Sequence, residues 1–275
     1  MNLYMRRNPA FQHRTGELMG ERLGQHFLAS HKLAERLADL MEPNPHRTVL
    51  ELGAGKGIFT AELAKRFQQV VALELDEKLL EEAKANLADV SNLTWVHGDM
   101  KEVDPTRLVP PGSILAGNLP YNISGIMVAR IATWGAIFRE AYLMLQREVA
   151  ERLIAPPHTR ARSRLTMLVE LRCPVQILLR LSPGAFRPPP RVESAFIKLT
   201  FPEQTPDLDW AALEELLRLA FSTRRKKVYG AVARWANMDE QEIIIRMQAL
   251  GVDPNARAED LTAGDWKKLL TLEHQ

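Results

Sequence analysis

Thr48-Val49-Leu50-Glu51-Leu52 runs directly into Gly53-Ala54-Gly55-Lys56-Gly57, and then into a helical stripe of Phe59, Leu63 and Phe67. An apolar strand that ends in a glycine turn and opens a helix is the first step of a β-α-β unit, and the pattern recurs. Val70-Val71-Ala72-Leu73 reads as a second strand, ending in Glu74-Leu75-Asp76 and followed by a Glu-, Lys- and Ala-rich helix from Glu77 to Leu87. Leu93-Thr94-Trp95-Val96 is a third, ending in His97-Gly98-Asp99-Met100. Ser113–Gly117 is a fourth, and Ala141–Leu145 is a fifth with a helix after it through Val149 and Leu153. Such alternation specifies an α/β fold of Rossmann-like type, with a mostly parallel sheet and helices on both faces.

The pattern changes after residue 170. Val175–Leu181 and Ser194–Phe201 lack an intervening helix and read as a closing antiparallel hairpin. Between them, the proline-rich stretch from Pro183 to Pro190 is a stiff, extended loop. Pro202 and Pro206 mark a boundary. From Trp210 onward strand signals stop, and apolar residues at 213, 216, 217, 220 and 221 form a helical stripe. Further helices are expected around 239–250 and 260–272. At the other end, Ser30 caps an expected helix carrying Leu33, Leu37, Leu40 and Met41, which Pro43 and Pro45 stop. The expected organisation is a flexible basic arm over 1–22, an α/β domain over 23–204 and a small all-α domain over 205–275.

Cys173 is the single cysteine and has no disulfide partner, which suits a reducing compartment. Met1–Glu17 is polar, carries Arg6, Arg7 and Arg14, and lacks the apolar centre of a secretory signal. No stretch reaches the roughly 18 apolar residues of a membrane helix. A cytoplasmic, monomeric protein away from membranes is expected. The net charge of +2 hides an asymmetry: residues 51–110 carry seven Lys/Arg against eleven Asp/Glu, and residues 147–200 carry ten against four. Residues 216–235 carry six basic residues and no acidic one. An acidic half beside a basic half points to a surface that follows a phosphate backbone, or to a merely solvated one.

Ligands of open α/β sheets bind outside the carboxyl ends of the strands. There, the glycine turn lets a ligand approach the backbone, but its third glycine falls one residue short of the dinucleotide pattern, because position 58 is Ile. Glu74, twenty-one residues after Gly53, suits both hydroxyls of a ribose. Asp99 suits an adenine amine, and Glu51 either orients the turn or meets an ammonium group. Adenine, a ribose diol and an amino acid without phosphate describe S-adenosyl-L-methionine. An NAD-dependent dehydrogenase is the competing class; the displaced glycine and the lack of a catalytic His or Tyr-Lys pair count against it. The fourth strand ends in Asn118-Leu119-Pro120-Tyr121, which is either a plain turn or a clamp for one flipped-out adenine.

These residues resemble the small-subunit ribosomal RNA adenine dimethyltransferases. The resemblance runs from about residue 23 to the end, through Gly24-Gln25-His26-Phe27-Leu28, Glu51–Gly57, Glu74–Asp76, Gly98-Asp99 and Asn118–Tyr121. It also takes in Gln146–Arg152, Pro188–Ala195 and Phe221–Lys226, of which Gln146–Arg152 and Phe221–Lys226 are the more specific. His26 stands where many relatives carry Asn, and Arg191 where Lys is common. The resemblance implies a class I methyltransferase domain that dimethylates N6 of two adjacent adenines in a hairpin loop near the 3′ end of small-subunit rRNA. It places Gln25, His26, Leu28, Glu51, Gly53, Gly55, Glu74, Leu75, Asp99, Met100 and Asn118 around the cofactor.

For the chemistry, which calls for no metal, Asn118 Oδ1 and the Leu119 carbonyl would accept the two N6–H bonds. Pro120 would stiffen them and Tyr121 would stack on the base. Phe186 is the candidate for the base's other face, with a core residue under a loop as the alternative. Arg147, Arg191, Arg224, Arg225, Lys226 and Lys227 are the expected RNA contacts. Two other readings stand beside this one: a large-subunit rRNA adenine methyltransferase of the macrolide-resistance type, which shares Pro120–Ser124, and a mainly non-catalytic ribosome-assembly factor.

Overall fold

The computed structural model describes residues 26–204 and 206–272. The expectations for residues 1–22 and for Gln25 lie outside the described residues. Seven strands form one sheet: β2 (Thr48–Leu52), β3 (Gln69–Glu74), β4 (Leu93–His97), β5 (Ser113–Asn118), β6 (Phe138–Gln146), β7 (Val175–Leu181) and β9 (Ser194–Thr200). Two short strands, β1 (Phe27–Leu28) and β8 (Phe186–Arg187), pair with each other outside it. The spatial order is β4-β3-β2-β5-β6-β9-β7. The first five of these run parallel; β9 is antiparallel to both β6 and β7. The expected antiparallel pair is thus present, with the later strand on the inside.

Residues alternate between two apolar layers with the period of 2 that a strand imposes. Leu50, Leu52, Leu115, Leu143 and Ile197 belong to one layer, beneath α4 (Ser124–Ala132). Val49, Ile114, Tyr142, Met144 and Phe196 belong to the other, with Leu37 of α1 (His31–Asp39) and Leu63 of α2 (Ile58–Ala64). Both faces are covered, so the strands read as near-continuous apolar runs. Ser30 caps α1 as expected, its side chain accepting from the Leu33 N–H. The Glu- and Lys-rich α3 (Glu77–Asn86) is capped by Asp76, whose carboxylate accepts from the N–H groups of Lys78 and Leu79. Leu40 lies past the end of α1 and is 36% exposed, so it takes no part in the stripe.

α5 (Arg147–Leu153) follows β6, and α6 (Arg164–Glu170) follows it. Then come α7 (Trp210–Ser222), α8 (Tyr229–Ala236), α9 (Glu240–Ala249) and α10 (Ala263–Leu270). Three of these helices carry no sequence signal strong enough to read. α4 is apolar over most of its length, so it has no polar face to give a period. α6 has seven residues, and α8 includes Gly230 and follows a basic run. The C-terminal helices share an apolar core that includes Leu213, Leu217, Val232, Met247 and Trp266, and Met167, Leu168 and Leu171 of the α6 region belong to it as well. Val169, on the same helix, belongs to the first sheet layer. Among the described residues no helix is long and apolar enough to cross a membrane.

Candidate active site

Strand order decides where the site lies. The chain passes from β2 outward to β3 and β4, then returns to lay β5 on the other side of β2. At that reversal the loops after β2 and β5 diverge and leave a crevice. Leu52 and Gly117 are register partners, so the glycine turn and Asn118–Tyr121 emerge side by side. The approach is close: a Cβ on Gly117 would stand 2.9 Å from the Leu52 carbonyl oxygen. The crevice is an open cleft lined by the turn, by Glu74 and Leu75, by Gly98–Lys101 and by residues 118–123.

The turn has the geometry its glycines allow. Gly53 and Gly55 have φ of +77° and +55°, a region that L side chains rarely enter. Phe27 packs on the turn so closely that a Cβ on Gly55 would meet its ring at 2.9 Å. Glu74 ends β3 and is 4% exposed. Its carboxylate accepts from the N–H groups of Gly55 (2.8 Å), Leu75 (2.9 Å) and Asp76 (2.9 Å). A carboxylate has about four acceptor positions, so Glu74 shapes the turn and keeps capacity for a ligand. Asp99 lines the cleft, accepts from the Lys101 N–H at 2.8 Å and pairs with the Lys101 ammonium at 3.2 Å. Met100 and the half-exposed Leu75 line the cleft too.

Glu51 sits one layer deeper. It faces α2, is 2% exposed and accepts from the Thr60 hydroxyl at 2.6 Å. Burial pushes its carboxyl up to about 7, against the Thr60 hydrogen bond and with a small addition from the charge of Glu74. No cationic side chain among the described residues pairs with it. It lines a smaller recess with Leu28, Gly53, Gly55, Asn118 and Met144. A buried acid without a cation, two open glycines and a strand-end carboxylate fit a ligand that carries an ammonium group and a ribose.

Asn118 ends β5. Its amide nitrogen donates to the His26 carbonyl, which assigns the orientation of the side chain and leaves Oδ1 as the group able to accept from a ligand. Tyr121 makes a short hydrogen bond with the Ser194 hydroxyl, and Ser124 Oγ donates to the Tyr121 carbonyl at 3.1 Å. Burial raises the phenol's pKa, with the Ser194 bond opposing, so it stays protonated at neutral pH. The His26 ring stands 5.1 Å from the Tyr121 ring at 38°, and its Nδ1 bonds to the Pro188 carbonyl at 2.8 Å. A carbonyl only accepts, so Nδ1 carries a proton.

Phe186 is placed differently from the stacking expectation. It is 0% exposed, pairs with Leu28 across β1–β8 and belongs to the apolar layer of Met144 and Phe196. It is a core residue under the proline-rich loop and lines no part of the cleft. The basic residues also divide. Arg224 donates to the carbonyls of Arg160 and Arg162 and pairs with Glu259, which makes it a strut. Lys227 donates to Asn255, and Arg147 pairs with Glu151 and Glu193. Arg191, Arg225 and Lys226 are exposed and without such partners among the described residues.

Phe27, Lys101, Asn122 and Ser194 take part in the site and were not singled out from sequence. Phe27, Asn122 and Ser194 had a signal, since they lie inside the Gly24–Leu28, Pro120–Ser124 and Pro188–Ala195 segments, but a lone aromatic there reads as core and the two small polar residues read as loop and strand start; Lys101 had none.

Known proteins resemble this chain in sequence and fold. The sequence profile of the ribosomal RNA adenine dimethylase family matches residues 17–274. The ribosomal RNA small subunit methyltransferase A of Dichelobacter nodosus is 33% identical over 254 residues, covering 90% of this chain and 93% of the relative. That of Xanthomonas campestris is 32% identical over 254 residues, covering 91% and 95%. A dimethyladenosine transferase from Plasmodium falciparum superposes with a TM-score of 0.78 at 25% identity, over 90% of this chain and 96% of its own. The 23S rRNA methyltransferase ErmE shares the fold, with a TM-score of 0.70 at 24% identity, over 90% and 100%. A cleft built from a glycine turn beside an Asn-Leu-Pro-Tyr strand end, with that profile running through almost the whole sequence, identifies the chain as a member of the ribosomal RNA adenine dimethylase family.

Proposed function

We propose that this rRNA adenine dimethyltransferase modifies N6 of two adjacent adenines in the hairpin loop near the 3′ end of small-subunit rRNA, within a pre-ribosomal particle. The observation that carries the reading is the meeting of two half-sites at the β2–β5 reversal, with Asn118 turned so that its Oδ1 is the free acceptor. The small-subunit target is supported by the 32–33% identical relatives of that name. Where ribosomes are assembled in the cytoplasm, the enzyme works there.

In this reading Gly53, Gly55, Glu74, Leu75, Asp99 and Met100 hold S-adenosyl-L-methionine, with Glu51 facing its ammonium group. When bound, it supplies an electrophilic methyl group. The residues of the chain then have an orienting task, because the lone pair of the N6 amine is conjugated into the ring. Asn118 Oδ1 and the Leu119 carbonyl accept the N6–H bonds, draw the nitrogen towards tetrahedral geometry and aim its lone pair. Pro120 limits the backbone that carries both acceptors. The tilted His26 ring lies beside Tyr121, and a flipped base stacks on the Tyr121 face that is open to the cleft.

The test is incubation with labelled S-adenosyl-L-methionine and undermethylated small subunits, followed by mapping of modified adenines. Label on two adjacent adenines near the 3′ end is expected. Label on large subunits would assign the chain to the macrolide-resistance type, and binding without label would make it an assembly factor.

A further inference from the structure

Tyr121 is gripped from outside the turn that carries it. Ser194 is the first residue of β9, is fully buried, and sits in register with Gln146 on β6 and Leu181 on β7. Its hydroxyl bonds the Tyr121 phenol across 73 residues of sequence. The residue before it is fixed as well: the Glu193 carbonyl accepts from the Arg147 N–H at 2.9 Å.

We propose that Ser194 is a positioning residue for base methylation, anchoring the Tyr121 hydroxyl to the sheet so that the ring offers one fixed plane to the flipped adenine. The proposal rests on the reading of Tyr121 as the stacking residue. A phenyl ring held only by its own backbone turns about two side-chain torsions. Stacking a base contributes about 1–3 kcal/mol, and that gain raises the rate only if the plane holds N6 in line with the methyl group. Two holds limit the freedom: Ser194 fixes the distal oxygen, and the His26 ring packs beside the phenol ring at 5.1 Å. Either hydroxyl can donate in this bond, and the ring oxygen is held in both cases. Because the anchor lies on β9, the ring is referenced to the rigid sheet rather than to the Asn118–Tyr121 turn alone.

The experiment is single-turnover methylation of undermethylated small subunits by Ser194→Ala, Tyr121→Phe and the double variant, with Tyr121→Ala for comparison. Each of the first two should lose about tenfold in rate, the scale of one hydrogen bond. The double variant should be no slower than the slower single one, and KM for the cofactor should stay put. Losses that multiply, or a Tyr121→Phe enzyme at wild-type rate, overturn the anchor. If Ser194→Ala does not fold, Tyr121→Phe removes the same bond without touching the strand and decides the matter. Tyr121→Ala at wild-type rate overturns the stacking role itself. An inactive Tyr121→Ala beside a fully active Tyr121→Phe overturns only the anchor.

Discussion

At the residue scale, the carboxylate of Glu51 and the amide of Asn118 each make a measurable prediction of the proposed reading. Glu51 keeps its proton to about pH 7 in the folded chain, against an ordinary value of 4.5. Between those values the unfolded chain releases a proton that the folded chain holds. The stabilisation is therefore complete below about 4.5 and is lost as pH rises through 7. Relative to Glu51→Gln, the ligand-free wild type should lose roughly 2–3 kcal/mol between pH 5 and 8. Melting temperatures of both proteins across that range check it, and parallel curves would count against a buried, neutral Glu51. Asn118→Ala removes the oriented acceptor and should lower kcat for methylation of undermethylated small subunits by the equivalent of about 2–4 kcal/mol of barrier. The types of these residues were readable because Glu51 lies inside an apolar strand, where an acid is out of place, and Asn118 ends another directly before Leu119-Pro120-Tyr121. Their couplings were not: the Glu74 bond to Gly55 and the Asn118 bond to His26 join residues 19 and 92 positions apart.

Among the elements, the short β1–β8 pair shows how far local reading reaches. An aromatic in a proline-rich loop beside a candidate site is a natural stacking partner until the loop is seen to pair with β1. Pairing turns Phe186 inward, under Leu28. Phe186→Ala should then cost about 3–5 kcal/mol of stability, as for other buried rings, while Phe186→Leu should fold and methylate at close to the normal rate. Thermal melts with single-turnover assays separate the two effects, and a folded but inactive Phe186→Leu would restore the ring to the base. The parallel strands were legible because their apolar runs end in Gly, Glu or Asn. α4 was not, since a helix that puts an apolar residue such as Ile126 on its exposed side lacks the periodic polar face that announces one.

The whole molecule is organised by strand order and by charge. Of the six basic residues expected at RNA, only Arg191, Arg225 and Lys226 stand exposed and unpartnered among the described residues. Replacing Arg225 or Lys226 with Ala should flatten the salt dependence of RNA binding by about 0.7–0.9 in log–log slope for each phosphate that the protein no longer neutralises. Arg224→Ala should instead lower the melting temperature, because it releases two carbonyls and Glu259. Equal slopes for all three variants would mean that the RNA binds elsewhere on the surface.

Pro202 and Pro206 divide the sequence at a place where the packing does not divide. α6 presents Val169 to the sheet and Met167, Leu168 and Leu171 to the C-terminal helices. A chain shortened at the prolines would carry a bare apolar strip and would aggregate. Exchange of C-terminal halves between relatives would likewise meet a mismatched seam unless the α6 face travelled with the graft. The heritable module is larger than the punctuation of the sequence suggests, and substitutions on opposite sides of that seam are bound to change together.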